Sequence, residues 1–330
     1  MTPFQYRRAA EIPDAIRAGA DPGAQYLAGG TVLLDLMKLG AIHPSVLVQI
    51  GDLRRQYGAI TADADGLHIG ALARMSELGD SADANHAWPA IAQSIRAAAS
   101  AQLRNMASIA GTLLQRTRCT YFRDPSWKAC NKRNPGSGCA AIDGSNRLHA
   151  VLGTSAQCIA SYPGDLAPVL AAFGATVDLV SDVGPRTIPF EGLHRLPGER
   201  PDLETDLRPG EIITAIHVPR ARWARRSLYL KIRDRDSYAF ALASAAIGLD
   251  IEGGMVREVR IGLGGVATKP WRSHEAEGAL KGQPLTEETA SRAAQAAFAA
   301  AYVHTENEYK PELGRRTLVR ALLAAAELED

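Results

Sequence analysis

The cysteines constrain this chain more than any other feature of its sequence. All four, Cys119, Cys130, Cys139 and Cys158, fall in one stretch, and the rest of the 330 residues carries none. Their spacing, C-x10-C-x8-C-x18-C, lacks the paired C-x-x-C knuckles of structural zinc sites. The segment from Arg116 to Arg147 has no sustained apolar period, and Asp124-Pro125, Asn134-Pro135-Gly136-Ser137-Gly138 and Asp143-Gly144 are turn chemistry. A long irregular segment inside a compact domain is unusual unless it is functional or cross-linked. The simplest physical reading is a bound inorganic group that replaces the hydrophobic core this segment lacks. His149, beside the insertion, reads as a satisfied structural histidine.

Around this insertion the chain is ordinary. Its length gives a prior of about two domains and is ample to bury a core without staples. A formal net charge of +1 excludes a nucleic-acid binder that works through bulk positive field. Aromatic residues are only 6% and alanine supplies much of the apolar fraction, which favours helices layered on sheets. No run approaches the roughly 18 apolar residues of a membrane span, so no membrane insertion is expected. Glu11 and Asp14 stand where a signal peptide needs an apolar core. The expectation is therefore a chain without its own export signal, periplasmic if it travels with a signal-bearing partner and cytoplasmic otherwise.

Period and punctuation predict strands at 26–28, 45–50, 67–72, 158–160, 175–180, 211–218 and 256–263. Helices are expected at 32–38, from Trp88-Pro89 through Gln102, at 165–173, from Thr286, and from Arg315 to the end. The run 240–247 reads as helix or strand, followed by a Gly253-Gly254 hairpin. The basic stretch Arg220 to Arg226 reads as a solvated connector between two units. Strands followed by helices in the last third suggest a separate α+β domain.

Two short loops carry binding chemistry. Ala28-Gly29-Gly30-Thr31 lies between a strand and a helix, where glycines permit positive φ and close approach of an anion to backbone N–H groups. It is not G-x-G-x-x-G and has no Walker lysine, so by itself it reads first as an ordinary tight turn. Ser108-Ile109-Ala110-Gly111-Thr112 is a second small-residue loop. With these two in order, YLAGGTVLLDLMK (26–38), QLRNMASIAGTLLQ (102–115), CIASYPGDLAPVLAAFGA (158–175), LRPGEIITAIHVP (207–219), LYLKIRDRDSYAFALAS (228–244) and GLGGVATKPWR (262–272) resemble the FAD-binding medium subunit of the molybdenum hydroxylase (xanthine dehydrogenase) family. The four-cysteine insertion is similar to that of the flavin subunit of periplasmic aldehyde oxidoreductases, which carries an extra [4Fe-4S] cluster.

The resemblance implies an α+β fold: a two-lobed FAD-binding domain of the vanillyl-alcohol oxidase type over 1–222, interrupted by the insertion at about 116–158. A small C-terminal domain like that of the carbon monoxide dehydrogenase flavoprotein follows over 226–330. By the same resemblance Leu27, Ala28, Gly29, Gly30, Thr31, Val32 and Leu33 would wrap the FAD pyrophosphate with backbone amides. Ser108, Gly111, Thr112 and Gln115 would line the cofactor from the second loop. Asp165 would accept a hydrogen bond from it and Lys231 would reach the flavin region. Read without the family, Asp165 is also a good N-cap and Lys231 a surface lysine. Val32 departs from the family's frequent Asn or Asp after G-G-T, which puts only a side-chain contact in doubt. Cys119, Cys130, Cys139 and Cys158 would ligate the cluster, with Arg116, Arg118, Arg123, Lys128, Lys132 and Arg133 offsetting its negative charge. Zinc or two disulfides are the competing accounts of the same thiols.

No nucleophile–base pair and no molybdenum pocket is visible, so the implied role is electron transfer. Partners would be a molybdopterin-binding large subunit that oxidises an aldehyde, a small subunit with [2Fe-2S] clusters, and an external electron acceptor. The rivals are a stand-alone flavin reductase of the same fold and a zinc-stabilised docking subunit.

Overall fold

A computed structural model describes residues 1–328. Three sheets organise it. Strands β1 (Gln5–Arg8), β2 (Ala24–Leu27) and β3 (Val46–Gln49) form a small parallel sheet in the order β1-β3-β2. The helix Ile12–Gly19 crosses between β1 and β2 and buries Ala15 and Ile16. Strands β4 (Ile60–Ala62), β5 (Gly66–Gly70), β6 (Thr176–Ser181), β7 (Gly184–Pro189) and β8 (Ile212–Pro219) build an antiparallel sheet ordered β4-β5-β8-β6-β7. Strands β9 (Ser227–Ile232), β10 (Ala243–Glu252), β11 (Met255–Gly264) and β12 (Trp271–Arg272) form the third, antiparallel sheet.

The alternation that marks each strand explains its layer. β6 reads TVDLVS, with Val177 and Leu179 facing a core shared with the helices Pro89–Ala97 and Leu166–Ala172. β10 begins as a nearly continuous apolar run because both of its faces are covered. On one side lie the helices Glu287–Ala297 and Lys310–Ala326, and on the other the core around Phe173 and Trp223.

Several expectations need correction. The helix opened by Pro89 stops at Ala97; Ala99 has φ of 51°, and Gln102 lies on a separate helix, Ala101–Met106. Residues 158–160 form no strand, only an isolated bridge from Cys158 to Ser155. The ambiguous run at 240–247 resolves as strand β10 from Ala243, and the last helix begins at Lys310 rather than Arg315. The stretch from Arg220 to Arg226 is no solvated connector. It folds into a short helix, Arg222–Arg225, whose Trp223 is 3% exposed with its ring 4.8 Å from that of Phe173. The arginines that suggested solvent surround an apolar anchor.

The insertion also has more core than its sequence suggests. Phe122 packs with Leu36, Ala41 and Cys130, and Tyr121 packs with Ala141 and Ile159. A one-turn helix, Thr120–Arg123, sends those two rings into different clusters. Buried polar side chains tie the turns together. Asn146 Nδ2 donates to the carbonyls of Ala141, Ile142 and Gly144 at 3.1–3.3 Å. Asn131 bridges Gly138 and Gln157. The insertion docks on the C-terminal unit through Glu306, which accepts from the Asn146 N–H at 3.0 Å, and through buried Lys310, which donates to Leu148 O and Gly265 O.

Candidate functional site: two adjoining cavities

β2 ends at Leu27, and the chain turns through Gly29 and Gly30 into the helix Leu33–Lys38. Gly30 has φ of 70°, a conformation that costs an L side chain but not glycine. A Cβ at Gly29 would lie 2.0 Å from the Met106 carbonyl oxygen, because this turn presses directly on the second small-residue loop. There Ser108 caps the helix Ile109–Leu113, its hydroxyl accepting from the Gly111 N–H at 3.3 Å. Two chain segments far apart in sequence thus meet backbone to backbone.

Between these loops opens a cavity of about 650 Å³. Ala28, Gly29, Gly30, Thr31, Val32 and Leu33 line it from one side, with Ser108, Gly111 and Gln115 on the other. Leu27 and Thr112 lie just outside the lining. The remaining wall is the segment 194–213, which brings Arg195, Glu204, Arg208 and Glu211 to the cavity, none of them a site residue by sequence. Its first part, 194–206, is polar, proline-punctuated and without period, whereas 207–213 opens the stretch LRPGEIITAIHVP. His194 fixes this segment to the second loop, its Nε2 2.9 Å from Leu113 O, and Tyr162 Oη donates to the same carbonyl at 2.9 Å. Burial holds the His194 imidazole down to about 4.

Asp165 and Lys231 do not line this cavity; they face each other. Lys231 Nζ lies 2.9 Å from Asp165 Oδ2, both side chains 4% exposed, and Tyr229 Oη donates to Asp165 Oδ1 at 2.6 Å. Asp165 stands at the N-terminus of the helix Leu166–Ala172 but its side chain makes no cap hydrogen bond. Lys231 is no surface lysine: it ties β9 to Asp165 and to the Ala97 carbonyl. Burial pushes the Asp165 carboxyl up, against the Lys231 charge and the Tyr229 hydrogen bond.

The four cysteines come together. Cys119, Cys130, Cys139 and Cys158 all line one small second cavity, with Phe122, Ala129, Ala141 and Ala160 as its apolar walls. All four are free thiols, so the disulfide account finds no bond here. Cys130 and Cys139 pair across an antiparallel bridge. Burial pushes the Cys119 thiol up to about 11. Cys139 is drawn down to about 6, chiefly by a hydrogen bond shared with Cys158. Among the described residues no three His, Cys, Asp or Glu side chains converge as a single-ion site. A tetrahedral zinc needs its sulfurs about 2.3 Å from one point. A four-iron cluster takes a thiolate at each of its four corners, so either group would draw on this same set of four thiols.

The six cations expected around these thiols are mostly engaged elsewhere. Arg118 and Arg123 pair with Asp35, and Arg133 donates to the Tyr121 and Phe122 carbonyls at 2.8 and 2.6 Å. Only Lys132 lines the cysteine cavity. His149, expected from sequence to be structural, places its Nε2 3.2 Å from Cys119 Sγ, while its buried Nδ1 has no hydrogen-bond partner.

The two cavities share a wall made of Lys132, Cys158 and Ala160. Across it runs an ion triad: Lys132 Nζ sits 2.8 Å from Glu204 Oε1, and Arg116 Nε pairs with Glu204 Oε2. Burial alone would raise the Glu204 carboxyl, but the charges of Lys132 and Arg116 outweigh it and hold it below the usual carboxylate value.

Comparison with known proteins gives this geometry a lineage. Residues 2–221 match the FAD binding domain in molybdopterin dehydrogenase, and residues 228–325 match the CO dehydrogenase flavoprotein C-terminal domain. The chain is 41% identical over 331 residues to the aldehyde oxidoreductase FAD-binding subunit PaoB of Escherichia coli, covering 98% of this chain and 99% of that one. It is 24% identical to the glyceraldehyde dehydrogenase medium chain of Sulfolobus acidocaldarius, over 86% of this chain and 83% of that one. Among solved structures, carbon monoxide dehydrogenase from Hydrogenophaga pseudoflava superposes with a TM-score of 0.76 at 25% identity, covering 98% of each chain. The α+β architecture, the paired small-residue loops and these matches agree: the chain belongs to the family of FAD-binding medium subunits of the molybdenum hydroxylases.

Proposed function

We propose that this chain is the flavin and [4Fe-4S] subunit of a heterotrimeric, molybdenum-dependent aldehyde oxidoreductase. In this reading a large subunit with molybdopterin oxidises the aldehyde and a small subunit with [2Fe-2S] clusters relays the electrons. The present chain passes them through FAD to an external acceptor. The aldehyde assignment rests on the 41% identity to the E. coli aldehyde oxidoreductase subunit. Export with a signal-bearing partner belongs to the same reading; no helix among the described residues is long and apolar enough to cross a membrane.

FAD supplies a carrier for one or two electrons and the cluster a carrier for one; the protein's share is to place them and set their surroundings. Ala28 to Leu33 would hold the pyrophosphate against backbone, where Gly29 and Gly30 leave no side chain in the way. Ser108, Gly111 and Gln115 would close the opposite side. Cys119, Cys130, Cys139 and Cys158 would hold the cluster, and the apolar walls around them would keep water from the sulfurs. Asp165, Tyr229 and Lys231 would brace β9 against the helix behind the cavity.

The observation that carries the reading is that all four cysteines line one cavity adjoining the loop-lined one. Replacing Cys139 by Ser should remove about four irons per chain and leave the flavin in place. Full iron in that variant rejects the cluster. Aldehyde oxidation by the isolated chain, with acceptor and no other subunit, rejects the division of labour.

A further inference from the structure

We infer that the Lys132–Glu204–Arg116 triad is an electrostatic coupler that sets the reduction potentials of both cofactors together; this rests on the cluster reading above. Lys132 lines both cavities, and its ammonium is held in the shared wall by Glu204 at 2.8 Å and by the Pro201 carbonyl at 3.0 Å. Its side chain is 10% exposed, so its charge is poorly screened by solvent. Glu204 lines the large cavity only, and so does Arg116 on its far oxygen. One carboxylate is therefore clamped between a cation facing the thiols and a cation facing the loops.

This placement has a definite sign. Adding an electron to either group adds negative charge next to the wall, which a cation stabilises and an anion opposes. Lys132 makes reduction easier on both sides and Glu204 makes it harder. Arg116 is further anchored with its guanidinium 4.5 Å from the Phe122 ring centroid, so the triad is fixed in the wall rather than free in solvent. The other insertion cations lack this reach: Arg118, Arg123 and Arg133 line neither cavity. The unequal use of six neighbouring cations singles out Lys132.

The test is a redox titration of the full chain, with iron and flavin quantified, on the wild type and on Lys132→Met, Lys132→Arg and Glu204→Gln. Lys132→Met should lower both potentials, shifting the reduced-to-oxidised ratio of the cluster by about tenfold at fixed potential, equivalent to about 59 mV. Glu204→Gln should raise both, and Lys132→Arg should restore wild-type values. Opposite signs from two neighbouring substitutions are not what structural damage produces. Unmoved potentials in variants with full iron and flavin would overturn the coupler, as would shifts of the same sign in both. Iron missing from the wild type would instead overturn the cluster reading before any variant is compared.

Discussion

The loop-lined cavity and the cysteine cavity meet at Lys132, Cys158 and Ala160 and are held open by different means. The first is built at the ends of regular elements: β2 and the helix Leu33–Lys38 on one side, the helix Ile109–Leu113 on the other. Its shape is set by backbone contact, with Gly29 against the Met106 carbonyl. The second is walled by turns that satisfy their polar groups locally through Asn131, Arg133 and Asn146, over small apolar clusters around Phe122 and Tyr121. Removing a side chain should therefore harm the second region locally and the first globally.

The largest stability effect should come from Phe122→Ala. Phe122 is 1% exposed and joins the insertion to Leu36, so its truncation should cost about 3–5 kcal/mol. Limited proteolysis should show cleavage within 116–158 while the rest of the chain stays protected. Uniform loss of protection would break the contrast.

Acidification should act through the first region. The buried His194 imidazole titrates near 4, well below its usual value near 6.5. Between those values the unfolded chain takes up a proton that the folded one refuses, so stability falls as pH drops from about 6.5 to 4, by about 3 kcal/mol. His194→Gln should flatten that limb of the denaturation profile; an unchanged slope would place the titration elsewhere.

Gly29→Ala should cost about 1–3 kcal/mol, because the new methyl meets backbone rather than a flexible side chain. Flavin content should fall steeply with iron retained, the mirror image of Cys139→Ser. Joint loss of both would show that the cavities form as one unit. The smallest effect is expected at the rim, where Arg147 and Asp234 pair at 3.0 Å with about half of each side chain exposed. Asp234→Asn should change stability by no more than about 0.5 kcal/mol, and a larger change in a denaturant titration would show that this contact helps seat the insertion.

How far the sequence carries depends on the range of the interaction. Short-range signals survive well: alternation in Thr176–Ser181, the Gly29-Gly30 turn and the Thr286 cap all lie where their chemistry puts them. The cysteine clustering in sequence foreshadowed their meeting in space. What was illegible depends on tertiary partners. Nothing local marks Lys132 as different from Arg118 or Arg133; the difference is Glu204, which folds back from a segment without periodicity. Asp165 looks like a helix cap, and only the approach of β9 turns it into a buried ion pair with Lys231. Trp223 hid among arginines because charge density masks a single apolar anchor.

The central claim is that the four cysteines hold iron next to a bound flavin. Quantifying iron, zinc and flavin in the wild-type chain purified without oxygen tests it directly. The account predicts about four irons and one FAD per chain with negligible zinc. Zinc in place of iron, or flavin with no metal at all, would contradict it.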